Sequence, residues 1–333
     1  MGWVSIDGSY GEGGGQILRS SLTMSAITGK PVRISNIRAG RKVPGLAPQH
    51  LAAVRVISSL FGAEVQGDQL GSTEVSFRPG KPSAGSYVFD VGTAGSVTLV
   101  LQTILPATLL LGLRRQWVIT GGTDVPWSPS STYFQEIYCH TLSRLGYGVE
   151  ANVVSHGFYP KGGGTIELKT TGSNLSQRID FSEKGEVTSI ELHSVASESL
   201  RGAKVAERQI EGFKTYIEDV DIRRIEYVKS RSTGTFIFAR AVYRNTVLGA
   251  TCLGKKGLPA EEVGKSCAHE LLAEMDGEGT VDIYMSDQIL PYLVYQGGTV
   301  KVRQITDHLT TNAYVLGEFG YDLTIEPPSV KFG

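Results

Sequence analysis

A glycine-rich turn near the start of the chain surrounds one carboxylate and ends at an arginine. Residues 7–19 read Asp-Gly-Ser-Tyr-Gly-Glu-Gly-Gly-Gly-Gln-Ile-Leu-Arg, between a short apolar strand and a helical pattern that begins at Gln16. Glycines let backbone N–H groups converge on an anion, and the start of a helix adds the positive end of its dipole. Because Glu12 would repel a bare phosphate, the turn predicts a polyphosphate site with a bridging divalent cation. A strand-to-helix turn without a ligand explains this segment alone equally well.

Positive charge is concentrated in residues 1–60, although the formal net charge of the whole chain is −1. The basic residues of this segment outnumber Asp7 and Glu12, and they are Arg19, Lys30, Arg33, Arg38, Arg41, Lys42 and Arg55. A local basic surface suits a partner that carries phosphate, whereas a solvated basic face is the simpler alternative. The overall charge gives no separate argument for nucleic-acid binding.

The hydrophobic pattern predicts a β-α-β-α-β-β unit that occurs three times, with an offset of about 80 residues between the first two copies. The helices expected in the three copies cover residues 16–28 and 47–61, 96–111 and 130–145, and 287–295 and 307–316. We therefore predict an α+β fold with repeats near 1–80, 81–180 and 280–333. Together they form a large domain over residues 1–182 and 280–333.

The segment 183–279 follows a different pattern and predicts a smaller α+β domain inserted between the second and third repeats. Helices are expected over Lys204–Ile217 and Ala260–Met275, and strands over Val187–Val195 and the hairpin 235–253. Glycine- and polar-rich stretches at 172–182 and 276–279 are the expected junctions.

Residues of unusual type follow the first and second strands in every repeat. These segments are 12–16, 92–96 and 286–288 after the first strands, and 38–50, 121–126 and 306–308 after the second strands. If the repeats pack around a pseudo-threefold axis, the segments meet on one face, where helix starts favour an anionic ligand.

Composition excludes several classes of protein. Apolar residues make up 41% and charged residues 20% of the chain, values typical of a soluble protein. The three cysteines have no metal-binding spacing, which favours a reducing compartment over disulfides or zinc. The longest apolar stretch, 97–113, is interrupted by Thr, Gln, Pro and Gly, and the start shows no signal peptide. We therefore expect a cytoplasmic protein without a membrane span.

The longer motifs closely resemble those of the RNA 3′-terminal phosphate cyclase family over the whole chain, including the insert. They are Asp7–Arg19, Ile37-Arg-Ala-Gly-Arg41, Pro44-Gly-Leu-Ala-Pro-Gln49-His50, His156-Gly-Phe-Tyr-Pro160-Lys-Gly-Gly-Gly164, Ser286-Asp-Gln-Ile-Leu290 and Asp307-His308-Leu-Thr-Thr-Asn312.

The resemblance implies a ligase-class enzyme of RNA processing that uses ATP with Mg²⁺ or Mn²⁺. A histidine takes AMP and releases pyrophosphate, in an adenylylation that needs no RNA. AMP then passes to an RNA 3′-phosphate, and the RNA–pp–adenosine anhydride closes to a 2′,3′-cyclic phosphate as AMP leaves. The implied partners are ATP and RNA with a 3′-phosphate end, and a homo-oligomer is compatible with the sequence.

The resemblance also implies roles for individual residues. His308 is the implied nucleophile, although chemistry alone ranks His50 equally. Glu12 is the implied metal ligand, and whether Asp287 orients His308 or assists the metal stays open. The implied nucleotide-binding residues are Arg19, Gln102, Pro126, Tyr284, Asp287 and Gln288, with Pro126 and Tyr284 enclosing adenine. The implied contacts to the RNA end are Arg38, Arg41, Gln49 and His50.

Two other functions are alternatives to this interpretation. A non-catalytic member of the same family acts in ribosome assembly and lacks the nucleophile, so His308, Glu12 and the paired arginines argue against it. An enolpyruvyl transferase is built from repeats of a similar unit, but its motifs do not match those found here.

Overall fold

The computed structural model of the chain describes residues 2–83, 85–173 and 178–333. In this part of the chain the strands form four sheets of four strands each. Every sheet contains both a parallel and an antiparallel pair, and helices pack against the sheets, so the fold is α+β as predicted. Within the predicted junction 172–182, residues 174–177 lie outside the described residues.

The first sheet has the strand order β1-β2-β4-β3, with β1 and β2 parallel. Its elements are β1 (Val4–Asp7), α1 (Gly15–Thr28), β2 (Val32–Ser35), α2 (Pro48–Phe61), β3 (Glu64–Gln66) and β4 (Val75–Arg78). The predicted helices 16–28 and 47–61 match α1 and α2 to within one residue. Both helices end where a glycine adopts the left-handed conformation, with φ of 71° at Gly29 and 51° at Gly62.

The second sheet has the order β5-β6-β8-β7, with β5 and β6 parallel. Its elements are β5 (Ser86–Asp90), α3 (Val97–Leu110), β6 (Arg115–Gly121), α4 (Ser131–Tyr133), α5 (His140–Arg144), β7 (Val149–Ser155) and β8 (Gly164–Thr170). The helix predicted over 130–145 is divided, because a π-helical segment, Phe134–Cys139, separates α4 from α5. Hydrophobic spacing alone does not reveal such a widened turn.

A short strand, β9 (Ile179–Phe181), leads into the segment between the second and third predicted repeats. That segment has its own sheet in the order β11-β10-β12-β13. Its elements are β10 (Val187–Ser197), a 3₁₀ segment (Glu198–Ala203), α6 (Val205–Lys214), β11 (Asp221–Val228), β12 (Thr235–Tyr243), β13 (Val247–Leu253) and α7 (Ala260–Asp276). The exposed edge strand β11 was not predicted, because its outward-facing residues show little hydrophobic alternation.

The last sheet combines strands from both sides of that segment, in the order β15-β16-β14-β9. Its remaining elements are α8 (Met285–Gln288), α9 (Leu290–Gln296), β14 (Gly298–Lys301), α10 (Asp307–Glu318), β15 (Thr324–Glu326) and β16 (Ser329–Phe332). The helix predicted over 287–295 is interrupted at Ile289, and Pro291, which has no N–H to donate, lies in the first turn of α9.

Buried apolar side chains divide the molecule into two main cores. One cluster joins the first, second and last sheets with α1, α2, α3 and α10, and another fills the space between α6, α7 and the β10–β13 sheet. A smaller cluster that includes Tyr133, Phe158 and Phe236 packs the two parts together. No helix in the described ranges is long and apolar enough to cross a membrane.

The contact between α6 and α7 depends on two glycines, which generates a stability prediction. A Cβ on Gly264 would lie 1.9 Å from the Gln209 carbonyl oxygen, and one on Gly212 would lie 2.1 Å from that of Glu261. We expect Gly264→Ala to lower the free energy of unfolding by about 2 kcal/mol, because over-packing outweighs the gain in helix propensity. Chemical denaturation measures this change. Gly202→Ala is the control, since nothing lies within 4 Å of its added Cβ, and equal stability of the two variants would contradict the prediction.

Candidate active site

A cleft of about 680 Å³ is lined by residues from the helices and loops of the first, second and last sheets and from β13. Every residue that the sequence implied for the site lines this cleft except Pro126. The implied residues that line it are Glu12, Arg19, Arg38, Arg41, Gln49, His50, Gln102, Tyr284, Asp287, Gln288 and His308. Positions at both ends of the sequence therefore share one cavity.

The starts of α1, α2 and α10 all border the cleft. A Cβ on Gly15 would lie 2.3 Å from His50 Nε2, so only glycine allows α1 to begin this close to α2. At α10, the Thr306 hydroxyl accepts a hydrogen bond from the Leu309 N–H at 3.1 Å, which caps the helix directly before His308. Helix starts carry partial positive charge, so the cleft favours a polyanion.

Glu12 bridges the first and last parts of the chain. Its Oε1 accepts a hydrogen bond from Arg41 Nη2 at 2.6 Å, and its Oε2 lies 3.1 Å from His308 Nε2. The His308 side chain is 51% exposed, so its ring is open to the cleft. The glycine-rich turn thus holds its carboxylate between a cation and an imidazole.

A buried carboxylate, Asp287, is surrounded by amides beneath this bridge. Asp287 Oδ2 accepts hydrogen bonds from Gln16 Nε2 at 3.0 Å, Gln288 Nε2 at 2.8 Å and Asn312 Nδ2 at 3.0 Å. Burial raises the pKa of Asp287 to about 7, against the opposing effect of the Arg19 guanidinium. The cluster joins α1, α8 and α10. Its three amides donate to Asp287 Oδ2, the carboxylate for which the sequence left open either orienting His308 or assisting the metal.

Arg19 completes the wall beside this cluster. Its Nη2 donates to Gln16 Oε1 at 2.7 Å. Burial lowers the pKa of Arg19 to about 10, so the guanidinium stays charged at neutral pH.

His50 differs from His308 in its hydrogen bonding. His50 Nδ1 accepts a hydrogen bond from the Ala47 N–H at 3.2 Å, so the neutral ring carries its proton on Nε2. Burial, together with Arg19 and Arg38, lowers the pKa of His50 to about 3. His50 therefore presents a neutral N–H donor, and its geometry is that of an anion contact rather than of a nucleophile.

Gln102, on α3, is a buried polar side chain at the wall of the cleft. The residue is 7% exposed, and neither Nε2 nor Oε1 has a hydrogen-bond partner in the described part of the chain. An unpaired buried amide destabilises a fold by about 1–3 kcal/mol. A ligand that supplies both a donor and an acceptor would remove this cost.

Tyr284 forms the aromatic side of the cleft and is held by a buried carboxylate. Its ring is 48% exposed and lies edge-on to Tyr133, with centroids 6.0 Å apart. Asp282 accepts hydrogen bonds from the Tyr284 N–H at 3.1 Å, the Tyr133 hydroxyl at 2.6 Å and the Gly249 N–H at 2.9 Å. One side chain thus joins α4, β13 and the start of α8.

The sequence missed part of this wall. Pro126 is exposed and is not among the residues that line the cleft, whereas Pro129 lines it. Pro126 and Pro129 lie in the same loop, and the local sequence does not indicate which of the two prolines faces a ligand. The other residues missed are Leu99, Trp127, Ser128, Ser130, Tyr133, Thr251 and Leu253. Thr251 and Leu253 reach the cleft from β13, and only the tertiary packing of the β10–β13 sheet brings them there.

A divalent ion at this site would have few ligands from the protein. Within the ranges that the structure describes, no three His, Cys, Asp or Glu side chains come together to hold an ion. Magnesium sites commonly use one or two carboxylates together with substrate phosphates. Glu12, at the rim of a cleft rich in arginine, fits that donor set.

Comparison with known proteins gives a consistent family assignment. Residues 10–324 match a family model described as RNA 3′-terminal phosphate cyclase. The RNA 3′-terminal phosphate cyclase of Pyrococcus furiosus is 42% identical over 320 residues, which cover 95% of this chain and 93% of that protein. The protein of the same name from Thermococcus onnurineus is 43% identical (96% and 94% covered), and that from Saccharolobus solfataricus is 39% identical (97% and 96% covered).

The environment of His50 generates a prediction on pH. Because its folded-state pKa is about 3 against an ordinary 6.5, the ring should stay neutral from pH 8 down to about pH 4 in a histidine NMR titration. At a pH between these two pKa values, His50 is protonated in the unfolded chain but neutral in the folded protein. The free energy of unfolding should therefore fall as the pH drops through this window, and less so in His50→Gln. A His50 resonance that titrates near pH 6.5 would contradict the assigned geometry.

Proposed function

Because the chain belongs to the RNA 3′-terminal phosphate cyclase family, we propose that it uses ATP to convert an RNA 3′-phosphate into a 2′,3′-cyclic phosphate. The observation that carries the proposal is the contact of His308 with Glu12, which is held in turn by Arg41 at the mouth of the cleft. The reaction is that of a ligase acting in RNA processing.

In the first step His308 Nε2 attacks the α-phosphorus of ATP. An N–P bond forms, the bond to the leaving pyrophosphate breaks, and the ring gives up its Nδ1 proton. The 3.1 Å contact with the Glu12 Oε2 carboxylate oxygen requires a proton on Nε2. The contact must therefore open, and that proton must pass to Nδ1 through solvent, before the Nε2 lone pair can attack. His308 is preferred to His50 because its side chain is half exposed, whereas the His50 ring is buried and its Nδ1 already accepts the Ala47 N–H.

The nucleotide is placed by groups that lack partners in the described structure or remain exposed. Gln102 would donate from its unpaired Nε2 to the triphosphate, and Arg19 supplies a buried cation at the same wall. Tyr284 offers its exposed ring to adenine, and its position favours Pro129, rather than Pro126, as the opposite wall. Gln288 lines the same side.

In the second step an oxygen of the RNA 3′-phosphate attacks the phosphorus on His308, and the N–P bond breaks. The 2′-hydroxyl then attacks the 3′-phosphorus, loses its proton and expels AMP, which leaves the cyclic phosphate. Arg38 and Arg41 are suited to the terminal phosphate, because guanidinium groups bind phosphate oxygens in pairs. Gln49 and the Nε2–H of His50 add neutral donors on the same side.

Glu12 is the residue that would hold Mg²⁺ or Mn²⁺ at this site. A divalent ion there supplies charge neutralisation on the phosphate oxygens. The Glu12 carboxylate contacts both Arg41 and His308. It can therefore exchange His308 for a metal ion while it stays paired with Arg41.

The arrangement is explained if three sheets are copies of one unit within a large domain over 1–182 and 280–333, with 183–279 inserted. The orders β1-β2-β4-β3, β5-β6-β8-β7 and β9-β14-β16-β15 correspond strand by strand. In that scheme β9 is the first strand of the third copy, so segment 183–279 interrupts the third copy rather than lying between the second and third copies, as the sequence predicted. Gln49, Thr132 and His308 then occupy equivalent positions, each the second residue of its helix.

The assignment of the nucleophile is tested with α-labelled ATP and Mg²⁺ in the absence of RNA. We expect acid-labile label on the wild-type protein and loss of at least about 1,000-fold in His308→Asn, because the attacking atom is removed. Asparagine is a suitable residue at a helix start, so the thermal unfolding midpoint should change little. Equal labelling of wild type and His308→Asn would overturn the mechanism.

The role of Glu12 is tested by Glu12→Gln, which keeps an oxygen for Arg41 but removes the charge. We expect the Mg²⁺ concentration for half-maximal labelling to rise about 10- to 100-fold, the usual effect of weakening a metal site. Glu74→Gln is the control, because its partner Arg33 lies 3.6 Å away on an exposed surface. An unchanged Mg²⁺ dependence in Glu12→Gln would exclude Glu12 as the ligand.

A further inference from the structure

Trp127 is an exposed indole at the rim of the cleft, and the mechanism above gives it no role. It lines the cleft and is 96% exposed, the largest exposure among the large hydrophobic side chains in the described ranges. Its backbone is left-handed, with φ of 62°. That conformation is costly for a bulky residue and is retained where the surrounding structure enforces it.

The loop that presents Trp127 rests on a buried anchor. Asp124 is 1% exposed and accepts hydrogen bonds from the Ser131 N–H at 2.9 Å and the Thr123 hydroxyl at 2.8 Å. His156 Nδ1 lies 2.7 Å from Asp124 Oδ2, and this ring is also buried. The hydrogen bonds of Asp124 therefore fix the loop that exposes the Trp127 indole.

The same anchor places a basic surface next to the loop. His156 begins the glycine-rich segment 156–164, where the Lys161 N–H donates to Ser232 Oγ at 3.0 Å. Segments 156–164 and 229–234 contain Lys161, Lys229 and Arg231, all exposed, and no Asp or Glu. Lys161 and Arg231 form no ion pair in the described ranges, whereas Glu198, which pairs with Arg201, also acts on Lys229. The surface therefore has a local excess of positive charge, which attracts polyanions.

Close backbone contacts connect this surface to the proposed site for the RNA end. A Cβ on Gly95 would lie 3.1 Å from Gln49 Cβ, and one on Gly162 would lie 3.0 Å from Ala94 Cα. The turn 92–95 therefore lies between Gln49 and the segment 156–164. A chain that leaves the cleft beside Gln49 would meet the basic surface next.

From these contacts we propose that the RNA strand preceding the 3′-phosphate crosses this rim. Trp127 stacks on one of its bases, and Lys161, Lys229 and Arg231 contact its backbone phosphates. Stacking on an indole accepts every base, and lysine and arginine read charge, so the surface binds single-stranded RNA without sequence preference. The glycines in segment 156–164 carry no side chain, which allows the RNA strand to approach the protein backbone closely. This inference rests on the proposed function, because it supplies the remainder of the same substrate.

The inference is tested by comparing a 3′-phosphorylated RNA of about 12 nucleotides, a length within the range of single-strand grooves, with a 3′-phosphorylated dinucleotide. We expect Lys161→Glu with Arg231→Glu to raise KM for the longer RNA at least about tenfold, with a change below about twofold for the dinucleotide. The salt dependence of KM for the longer RNA should become shallower. Lys169→Glu, an exposed residue of β8, is the matched control. Equal effects on both substrates would overturn the inference.

Trp127→Ala tests the stacking contact. We expect KM for the longer RNA to rise about tenfold, the effect of losing one base–aromatic stack, and Trp127→Phe to recover most of it. Trp3→Ala is the control, because Trp3 is an exposed indole that packs on Arg33 and Arg78 and does not line the cleft. A larger effect on KM for ATP than on KM for RNA would instead assign Trp127 to the nucleotide site.

Tryptophan emission gives a binding measurement that needs no turnover. In a Trp3→Phe protein the remaining indoles are Trp127 and the buried Trp117, which stacks on Tyr87. The longer RNA, added without ATP, should quench the emission, and this change should disappear in Trp127→Phe. Full quenching by ATP alone, or none by RNA, would overturn the inference. Failure of the proposed function is distinguishable, since the wild-type protein would then take no label from α-labelled ATP.

Discussion

The buried carboxylate of Asp287 is the constraint on which the arrangement of the site depends. A carboxyl group this deep must be paired, and amides from α1, α8 and α10 supply the hydrogen bonds. These bonds set the first part of the chain against the last, and the cluster contains no flexible loop. Glu12 and His308 extend from the same two helix starts, so their 3.1 Å contact follows from the position of the helices rather than from its own strength. A partly exposed ion pair alone would stabilise such an arrangement little.

The polar groups of the cleft fall into two kinds, and the difference indicates where ligands act. Asp287, Asp282 and Asp124 are buried with several hydrogen bonds each and hold elements together. Gln102 is buried without a partner in the described structure, and Tyr284 and Trp127 are exposed at the cleft. The contrast between His50 and His308 is of the same kind. The His50 ring is fixed by the Ala47 N–H, whereas the His308 ring is half exposed at the cleft.

Much of this site could be predicted from residue types and spacing. The glycine-rich turn, Glu12 and the arginines were recognisable because glycine, charge and helix starts act locally, and the repeating pattern indicated that distant turns would meet. His308 was singled out only by the family resemblance, since chemistry alone ranked His50 equally. Pro129 was missed because two prolines in one loop look alike in sequence. Thr251 and Leu253 were missed because only the packing of the β10–β13 sheet brings β13 to the cleft. The π-helical turn in 134–139 and the strand β9 depend on tertiary contacts in the same way. The α+β class was confirmed, whereas the roles of individual residues remain proposals.

The central claim, that Nε2 of His308 forms the bond to phosphorus in this cleft, is tested most directly by a crystal structure of protein incubated with ATP and Mg²⁺ without RNA. The predicted result is continuous electron density from His308 Nε2 to the phosphorus of AMP, with adenine against Tyr284. Glu12 Oε2 should then lie beyond hydrogen-bond distance of Nε2. Density that joins the phosphorus to His50, or a bound nucleotide with the contact between Glu12 and His308 intact and no covalent bond, would contradict it.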